Sequence, residues 1–448
     1  MKTRVFLLLM VSLYTTLVSA KDIIVHGEKV NGKLVVSQHH FQQSNSNYII
    51  KKEFDLDGKQ IFLPENSVLT FKCKGKLHNG TLIGNESNLS IGKKKTVFSK
   101  ILIKGTWCVS NIYSSWFDFG EDAAWNTKYM QNLSDLTSDN HTGNIYITEG
   151  IYKINVTNES SSCMYVHSNT NLTIDGSIEL QPCEKRFYGI VRIVDVHDVH
   201  ISGKGRIVGD VVDHIGDDGQ WGMGIDVWSS RNVVIKDIAV ENCWGDCIYI
   251  GQSKDVKESF PEDVIIDNVR CTASRRQGLS IIAGRNIIVK NSLFADIGTI
   301  KFSPPGAGLD IEPNRYGETI VDNIVISNCV FKNNHDGKDF SSFNLDKTAS
   351  VFFNNCTFEG RLVMHDKVYN ITFNQCDIND FYINRQNTGN ILFVNSKIRN
   401  TPPQHLILKR IIKLDNCDYP NSSESSVFFF DHLIIIGVGI SCHSKSTI

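Results

Sequence analysis

Four short segments of this chain carry residues capable of acid–base chemistry at matching positions. Each segment contains two apolar residues separated by one position, and these pairs are Ile225 and Val227, Ile248 and Ile250, Leu279 and Ile281, and Leu309 and Ile311. Side chains alternate across a β-strand, so the residue between each pair faces the opposite way. The resulting outward column is Asp226, Tyr249, Ser280 and Asp310. Carboxylates transfer protons and aromatic faces stack on sugar rings, so this column predicts a carbohydrate site.

Neighbouring positions enlarge the candidate site. The same alternation predicts two further outward columns, which are Gly224, Cys247, Gly278 and Gly308, and then Trp228, Gly251, Ile282 and Glu312. The turn that enters this face carries Asp246, Arg275, Arg276 and Gln277. The predicted catalytic residues are Asp226, Asp246, Asp310, Glu312 and Arg276. The predicted substrate-binding residues are Trp221, Trp228, Tyr249, Arg275, Gln277 and His214.

The spacing of Asp310 and Glu312 suggests how they work. Two residues apart on one strand, they lie roughly 7 Å from each other, within the range of an inverting glycosidase pair. Asp226 is three repeats from Asp310, at roughly 14 Å, and cannot pair with it. Other interpretations stay open, since an outward carboxylate is often only solvated and an aromatic pair can pack beneath a loop. Arg275 and Arg276 can equally serve to neutralise the neighbouring carboxylates.

Two polar insertions flank the candidate site. The segment from Gly209 to Gly222 is rich in Asp and precedes the Asp226 strand, so it is expected to wall a cleft. It contains His214, which is either an acid–base group or a surface residue. The segment from Phe302 to Gly308 precedes the Asp310 strand and is a second candidate wall.

A repeat explains why these segments should align. Similar triplets follow short β-like runs, and their third residues are Cys243, Cys271, Ser292, Cys329, Cys356, Cys376, Ser396 and Cys417. The steps between them are 20 to 37 residues. Steps of about twenty, some lengthened by loops, are typical of a β-solenoid whose turns stack in ladders. The predicted fold is therefore all-β, a parallel β-helix with an N-terminal β-rich cap.

The stacking of equivalent residues in ladders explains the many Asn and Cys residues. Asn tolerates a left-handed bend and can hydrogen-bond to its neighbour in the ladder. Small Cys and Ser side chains can stack inside, so the cysteines are expected to be buried and reduced rather than paired. Cys243 and Cys247 have ligand-like spacing but no second pair, so no zinc site is predicted. One helix is predicted, Glu121 to Leu136, as a short cap over the solenoid end.

The two ends of the chain and its net charge limit the predicted cellular location and the classes of partner. Residues 1–20 read as a signal peptide with a Val18-Ser19-Ala20 cleavage site, which predicts a secreted protein, periplasmic or extracellular. The predicted divisions are 21–112 for the N-terminal β-rich region, 113–417 for the β-helix, and 418–448 for a C-terminal strand or cap. The formal charge of −2 argues against a nucleic-acid partner. The apolar run from Val427 to Ile440 is too short for membrane insertion.

Two segments resemble the pectate-lyase superfamily of right-handed parallel β-helices. The run from Phe119 to Asp122, the helix, and the strand from Gly143 to Tyr152 are similar to the opening element of that family. The stretch from Gly224 through Ile248 is similar to the central catalytic coils of polygalacturonases. The resemblance implies a right-handed helix and activity on carbohydrate.

The polygalacturonase motif is only partly present. The first catalytic Asp of that family is replaced here by Met223, and the paired Asp residues of the next coil are Gly245 and Asp246. The Gly-His-Gly motif is replaced by Arg276-Gln277-Gly278. The resemblance therefore implies a carbohydrate-active relative with a rearranged site.

Three functions remain as hypotheses, all with a polysaccharide partner. The first is a glycoside hydrolase that needs no cofactor, with Asp246, Asp310 and Glu312 as acid and base. The second is a lyase or epimerase on acidic sugars, in which Arg275 or Arg276 acts on the uronate and Ca²⁺ can bridge the substrate. The third is a non-catalytic glycan-binding protein. The sugar and the oligomeric state stay open.

Overall fold

The computed structural model describes residues 21–137, 141–156, 158, 161–253, 259–314, 319–365, 367–384, 389–400 and 411–418. The predicted signal peptide and the segment from Val427 to Ile440 lie outside the described residues. Within the described ranges, none of the helices has the length and apolar content needed to cross a bilayer.

The N-terminal region forms its own nine-stranded sheet. Most of its pairings are parallel, and one hairpin, Glu28–Val30 with Lys33–Val35, is antiparallel. Its strands are Lys21–Ile24, Glu28–Val30, Lys33–Val35, Ser46–Ile50, Glu53–Asp55, Gln60–Phe62, Val68–Phe71, Lys76–Ser90 and Phe98–Trp107. The next sheet begins at Asn111, close to the predicted boundary after residue 112. The domain division itself stays a prediction.

A twelve-stranded parallel sheet forms one side of the solenoid. Its strands are Asn111–Tyr113, Gly143–Ile147, Thr170–Ile174, His197–Ser202, Arg231–Lys236, Glu262–Asp267, Gly284–Lys290, Val321–Ser327, Val351–Asn354, Ile371–Asn374, Asn390–Val394 and Ile411–Asp415. Successive strands of this sheet come from successive coils of the chain, which is the arrangement that the repeat predicted.

A seventeen-stranded sheet contains two further parallel ladders. The first ladder is Ile151–Ile154, Ser177–Leu180, Arg206–Val208, Ala239–Glu241, Arg270–Thr272, Leu293–Ala295, Val330–Lys332 and Lys397–Ile398. The second, here called the site sheet, is Ser161–Tyr165, Phe187–Val194, Trp221–Trp228, Asp246–Gly251, Gln277–Ile281, Ala307–Ile311 and Lys338–Ser342. The longer strands Thr357–Met364 and Asp377–Ile383 pair within both ladders. The predicted all-β parallel helix is confirmed.

The Asn and Cys positions behave as the repeat predicted. Asn291, Asn328 and Asn355 have φ values of 53°, 53° and 52°, in the left-handed region. The Asn328 amide donates to Asn291 at 3.2 Å, and the Asn355 amide donates to Asn328 at 2.9 Å. In the described part of the chain the cysteines are free, and those of the ladder from Cys243 to Cys376 are buried.

The predicted helix runs over Ala123–Asp135. Asp122 caps it, since its carboxylate accepts a hydrogen bond from the backbone N–H of Trp125 at 3.2 Å. Asn132 accepts from the Ile103 N–H at 3.0 Å and donates to the Ile101 carbonyl at 2.8 Å. The helix thus satisfies edge groups of the strand Phe98–Trp107, as expected for a cap. Three short 3₁₀ helices, Gln38–His40, Ser114–Trp116 and His335–Gly337, complete the helical content of the described residues.

One prediction of side-chain direction is wrong. The column of Gly224, Cys247, Gly278 and Gly308 faces the core, not solvent. A Cβ on Gly224 would lie 2.3 Å from Cγ1 of the buried Val240, and one on Gly278 would lie 3.1 Å from the Phe294 ring. Cys247 is itself fully buried in the core. In each coil the residue of this column and the residue after it both face inward, so side chains do not alternate strictly here. The residue before this column faces outward.

We expect Gly224→Ala to destabilise the protein by about 1–3 kcal/mol, because the added methyl overpacks the core. Gly92→Ala is the matched control, since a Cβ there meets no atom within 4 Å. Its effect should stay within about 0.5 kcal/mol. Chemical denaturation of both variants measures the difference. Equal stability of the two would contradict the inward orientation of Gly224.

Candidate functional site

The predicted outward column exists in the register of the site sheet. Asp226 pairs with Tyr249, Tyr249 with Ser280, and Ser280 with Asp310. The column extends by one coil in each direction, to Arg192 before Asp226 and to Ser341 after Asp310. Since parallel pairing stacks equivalent residues about 4.8 Å apart, these side chains form one continuous row.

Asp226 is a fully buried member of this row. Arg192 Nε lies 2.8 Å from its Oδ2, and the Trp228 indole N–H donates to the same oxygen at 2.8 Å. Burial raises the pKa of Asp226 to about 6, although Arg192 and Trp228 act in the opposite direction. Asp226 therefore fixes Trp228 and Arg192 rather than meeting solvent directly.

Asp246 is buried in a second outward column, the one that directly precedes the inward-facing column of Cys247. Its Oδ2 accepts hydrogen bonds from Arg276 at 3.1 Å and from the Ser280 hydroxyl at 2.8 Å. Burial raises the pKa of Asp246 to about 6 against the effect of Arg276 and Ser280. Gln277 is its register partner and donates to Asp310 Oδ2 at 3.1 Å, which links the two columns.

Asp310 and Glu312 are two carboxyls whose charges interact. Burial, followed by the charge of Glu312, raises the pKa of Asp310 well above its usual value. The expected separation of roughly 7 Å between the two carboxyls stays a prediction. Asp310 is fully buried and Glu312 is half-buried, so Glu312 is the more accessible of the two.

Unsatisfied polar atoms concentrate at this cluster. The second carboxyl oxygens of Asp226, Asp246 and Asp310 are buried without a hydrogen-bond partner in the described structure, as is Nε of Arg276. Buried carboxylate oxygens normally have partners, and leaving one without costs about 1–3 kcal/mol. Such a concentration beside groups of raised pKa is typical of a functional site.

A pocket of about 190 Å³ lies over the cluster. Its lining residues are Phe187, Trp221, Met223, Trp228, Tyr249, Arg276, Ile282 and Asn314. Trp228 and Tyr249 pack with ring centroids 4.6 Å apart. The structure thus brings four predicted residues, Trp221, Trp228, Tyr249 and Arg276, to one cavity, and Arg276 is the charged member of its lining.

Arg275 and His214 lie outside the pocket, where they anchor the insertion from Gly209 to Gly222. Arg275 donates to the backbone carbonyls of Gly219 and Asp217 at 2.6 and 2.9 Å, and its guanidinium stacks on Trp244 at 3.7 Å. His214 also stacks on Trp244, and its Nδ1 lies 2.8 Å from Asp210 Oδ2. Neither side chain lines the pocket. Their contacts position the loop.

The two insertions support each other beside the pocket. Ser303 donates to the Gln220 side chain at 2.8 Å, and Lys301 donates to the His214 carbonyl at 3.2 Å. Gln220 directly precedes Trp221, so these contacts hold the entry to the pocket wall in place.

Sequence reasoning missed Arg192 and Phe187. The strand Phe187–Val194 is one coil before the segments that were aligned, and its Val191-Arg192-Ile193 repeats the pattern of Ile225-Asp226-Val227. Extending the alignment by one coil would have found both. Ile282 was in a predicted outward column but not among the predicted site residues, and no local pattern singles out Asn314, because loops and side-chain lengths decide which residues reach a cavity.

Potential metal ligands cluster at three places in the described residues. These groups are Glu28 with His39 and His40, Glu86 with Cys108 and His141, and Cys183 with Asp210 and His214. None of the three includes a carboxylate from beneath the pocket. A calcium ion at the pocket therefore stays a prediction.

The raised pKa of Asp226 gives a stability test. An unfolded Asp titrates near pH 3.9, so between about pH 3.9 and 6 the folded state binds more protons than the unfolded state. The stabilising contribution is present below this window and is lost as the pH rises through it. The free energy of unfolding of Asp226→Asn should therefore rise relative to wild type between pH 4 and 7, by on the order of 3 kcal/mol.

The matched control is Asp237→Asn, at an exposed ladder position. The rise with pH for Asp226→Asn should exceed any change that this control shows. Urea denaturation at several pH values measures both variants. A pH-independent difference for Asp226→Asn would contradict the raised pKa of Asp226.

Comparison with known proteins finds similarity over part of the chain. Residues 223–361 match the model for a right handed beta helix region. The uncharacterized protein YclG of Bacillus subtilis (strain 168) is 29% identical over 188 residues, which cover 37% of this chain and 31% of that protein. The chain spans about a third of the length of the curated relatives it matches.

Two solved structures are similar to this chain at low identity. The tailspike protein gp49 from Acinetobacter baumannii bacteriophage Fri1, a capsular polysaccharide depolymerase, is 12% identical, with a TM-score of 0.48 over 70% of this chain and 63% of that one. The A-module of the Azotobacter vinelandii mannuronan C-5 epimerase AlgE4 is 11% identical, with a TM-score of 0.45 over 66% of this chain and 91% of that one. Neither informs the chemistry of this site. The stacked parallel ladders and the match over residues 223–361 show that this chain folds as a right-handed parallel β-helix.

Proposed function

We propose that this protein acts on a polysaccharide laid along the site sheet and that it is a glycoside hydrolase. One observation carries the proposal: the buried carboxyls Asp226, Asp246 and Asp310, all with raised pKa values, cluster beside a pocket with aromatic walls. Hydrolysis of a glycosidic bond needs one carboxyl that holds a proton and one that is ionised.

Asp310 and Glu312 supply the proton. Burial and the charge of Glu312 raise the pKa of Asp310 well above its usual value, which favours the protonated form that a general acid needs. Glu312 is the half-buried carboxyl and therefore the one that the glycosidic oxygen can approach. Asp246, whose pKa is about 6, is ionised at neutral pH and serves as the base, steadied by Arg276. Asp226 shapes the site through Trp228.

The pocket selects a sugar ring. Trp221, Trp228 and Tyr249 offer aromatic faces of the kind that stack on pyranose rings. Its volume, about 190 Å³, lies below the roughly 300–1,000 Å³ of pockets that enclose a drug-sized ligand. We therefore infer that one ring of the chain enters the pocket while its neighbours lie along the sheet.

A second candidate is a lyase or epimerase on uronate-containing glycans. It is favoured by Arg276, the charged residue of the pocket lining, which can pair with a sugar carboxylate. A Ca²⁺ bridge would belong to this chemistry, so thorough chelation should abolish activity and added Ca²⁺ should restore it. A third candidate, glycan binding without catalysis, is favoured by the complete burial of Asp226, Asp246 and Asp310. Secretion from a cleaved signal peptide stays a prediction.

We expect Asp310→Asn and Glu312→Gln each to lower the turnover of the polysaccharide by at least about a hundredfold, because each removes a proton-transfer group. Asp339→Asn is the matched control, since Asp339 is also a buried carboxyl with a pKa of about 6 but accepts from Asn334 and from the Gly360 backbone N–H. It should keep turnover within a few-fold of wild type. Full activity in the Asp310→Asn, Glu312→Gln double variant would end the assignment.

Mass spectrometry of products from a panel of acidic and neutral polysaccharides separates the three candidates. Fragments that have gained water indicate a hydrolase. Fragments with a new double bond indicate a lyase and move attention to Arg276. Binding without fragments, measured by affinity electrophoresis on the same panel, indicates the non-catalytic function.

A further inference from the structure

A cluster of nitrogen and oxygen donors lies in the N-terminal sheet, away from the site sheet in the chain. Glu28 begins the first strand of the antiparallel hairpin, and His39 and His40 end the 3₁₀ helix Gln38–His40. One ligand-type atom from each of the three side chains lies within 4.8 Å of the others. His39 Nε2 is already 3.1 Å from Glu28 Oε1.

Ser37 orients both imidazole rings. His39 Nδ1 lies 2.8 Å from the Ser37 hydroxyl, and His40 Nδ1 lies 3.2 Å from the Ser37 carbonyl. A metal-binding His commonly donates its other ring N–H to such an oxygen, which fixes the ring and leaves the second nitrogen for the ion. His40 Nδ1 is also 3.1 Å from the Ser37 N–H, so metal binding would select the tautomer that donates to the carbonyl.

The spacing suits a small ion. Zinc–nitrogen and zinc–oxygen bonds of about 2.0–2.1 Å place tetrahedral ligand atoms roughly 3.3 Å apart. The contact between His39 and Glu28 already has this length. The His40 ring lies against the His39 ring with centroids 3.9 Å apart, which holds a third ligand beside the other two. The side chains of His39 and Glu28 are 60% and 67% exposed, which leaves a path for the ion.

We propose that Glu28, His39 and His40 bind one Zn²⁺, with water as the fourth ligand. Two imidazoles and a carboxylate favour zinc over calcium or magnesium, which prefer all-oxygen sites. The ion would join the hairpin to the segment that contains the 3₁₀ helix. Its role is therefore to stabilise the N-terminal sheet, independently of the chemistry at the pocket.

Isothermal titration of the full, untagged, metal-free chain with ZnCl₂ tests the proposal, since a polyhistidine tag would itself bind zinc. Wild type should bind one equivalent, and zinc should raise its thermal midpoint. His39→Ala and Glu28→Gln should weaken binding by more than about tenfold and abolish the thermal shift. His200→Ala, which removes an exposed His from another sheet, is the matched control and should behave as wild type.

Both variants change exposed side chains, and circular dichroism without zinc checks that each folds as wild type does. Absence of saturable binding to wild type would overturn the proposal. One equivalent retained by His39→Ala would also overturn it, since the ion would then occupy another group, such as Cys183 with Asp210 and His214.

Discussion

Every side chain of the candidate site is placed by the backbone hydrogen bonds that join one coil to the next. Parallel pairing aligns residue with residue, so a carboxylate on one strand lies directly beside the corresponding residue of its neighbours. The row from Arg192 through Asp226 and Tyr249 to Asp310 exists only because this register is maintained over successive coils. A slip of one residue would turn each of these side chains into the core.

The same stacking creates the electrostatic character of the site. Rows of outward side chains are close enough to bury one another, and Asp226, Asp246 and Asp310 all lose contact with solvent in this way. Two arginines, Arg192 and Arg276, each neutralise one of them, whereas the third acid, Asp310, lies within the influence of another acid, Glu312. That charge, added to burial, raises the pKa of Asp310 well above its usual value. A regular scaffold thus places carboxyls with different electrostatic surroundings side by side.

The insertions convert an open sheet into an enclosed pocket. Trp244 is the centre of this arrangement, because the ring of His214 and the guanidinium of Arg275 both stack on it. Asp210 fixes His214 and also accepts from the Tyr188 hydroxyl at 2.5 Å, so the loop is bound to the coil beneath it. Arg275 and His214 therefore anchor the segment that leads to Trp221 at the pocket wall.

The amino-acid sequence by itself determined the solenoid, the capping helix and the column of Asp226, Tyr249, Ser280 and Asp310, because repeat length and alternation are local properties of the chain. It could not determine that Gly224 and Cys247 face inward, since this break in alternation depends on the core residues Val240 and Cys243 opposite them. Only the tertiary structure decided that Arg192 joins Asp226, that Asp310 is fully buried, and that Arg275 contacts the loop. Burial and pKa arise from groups contributed by other coils and loops, and a pattern along one strand does not record them.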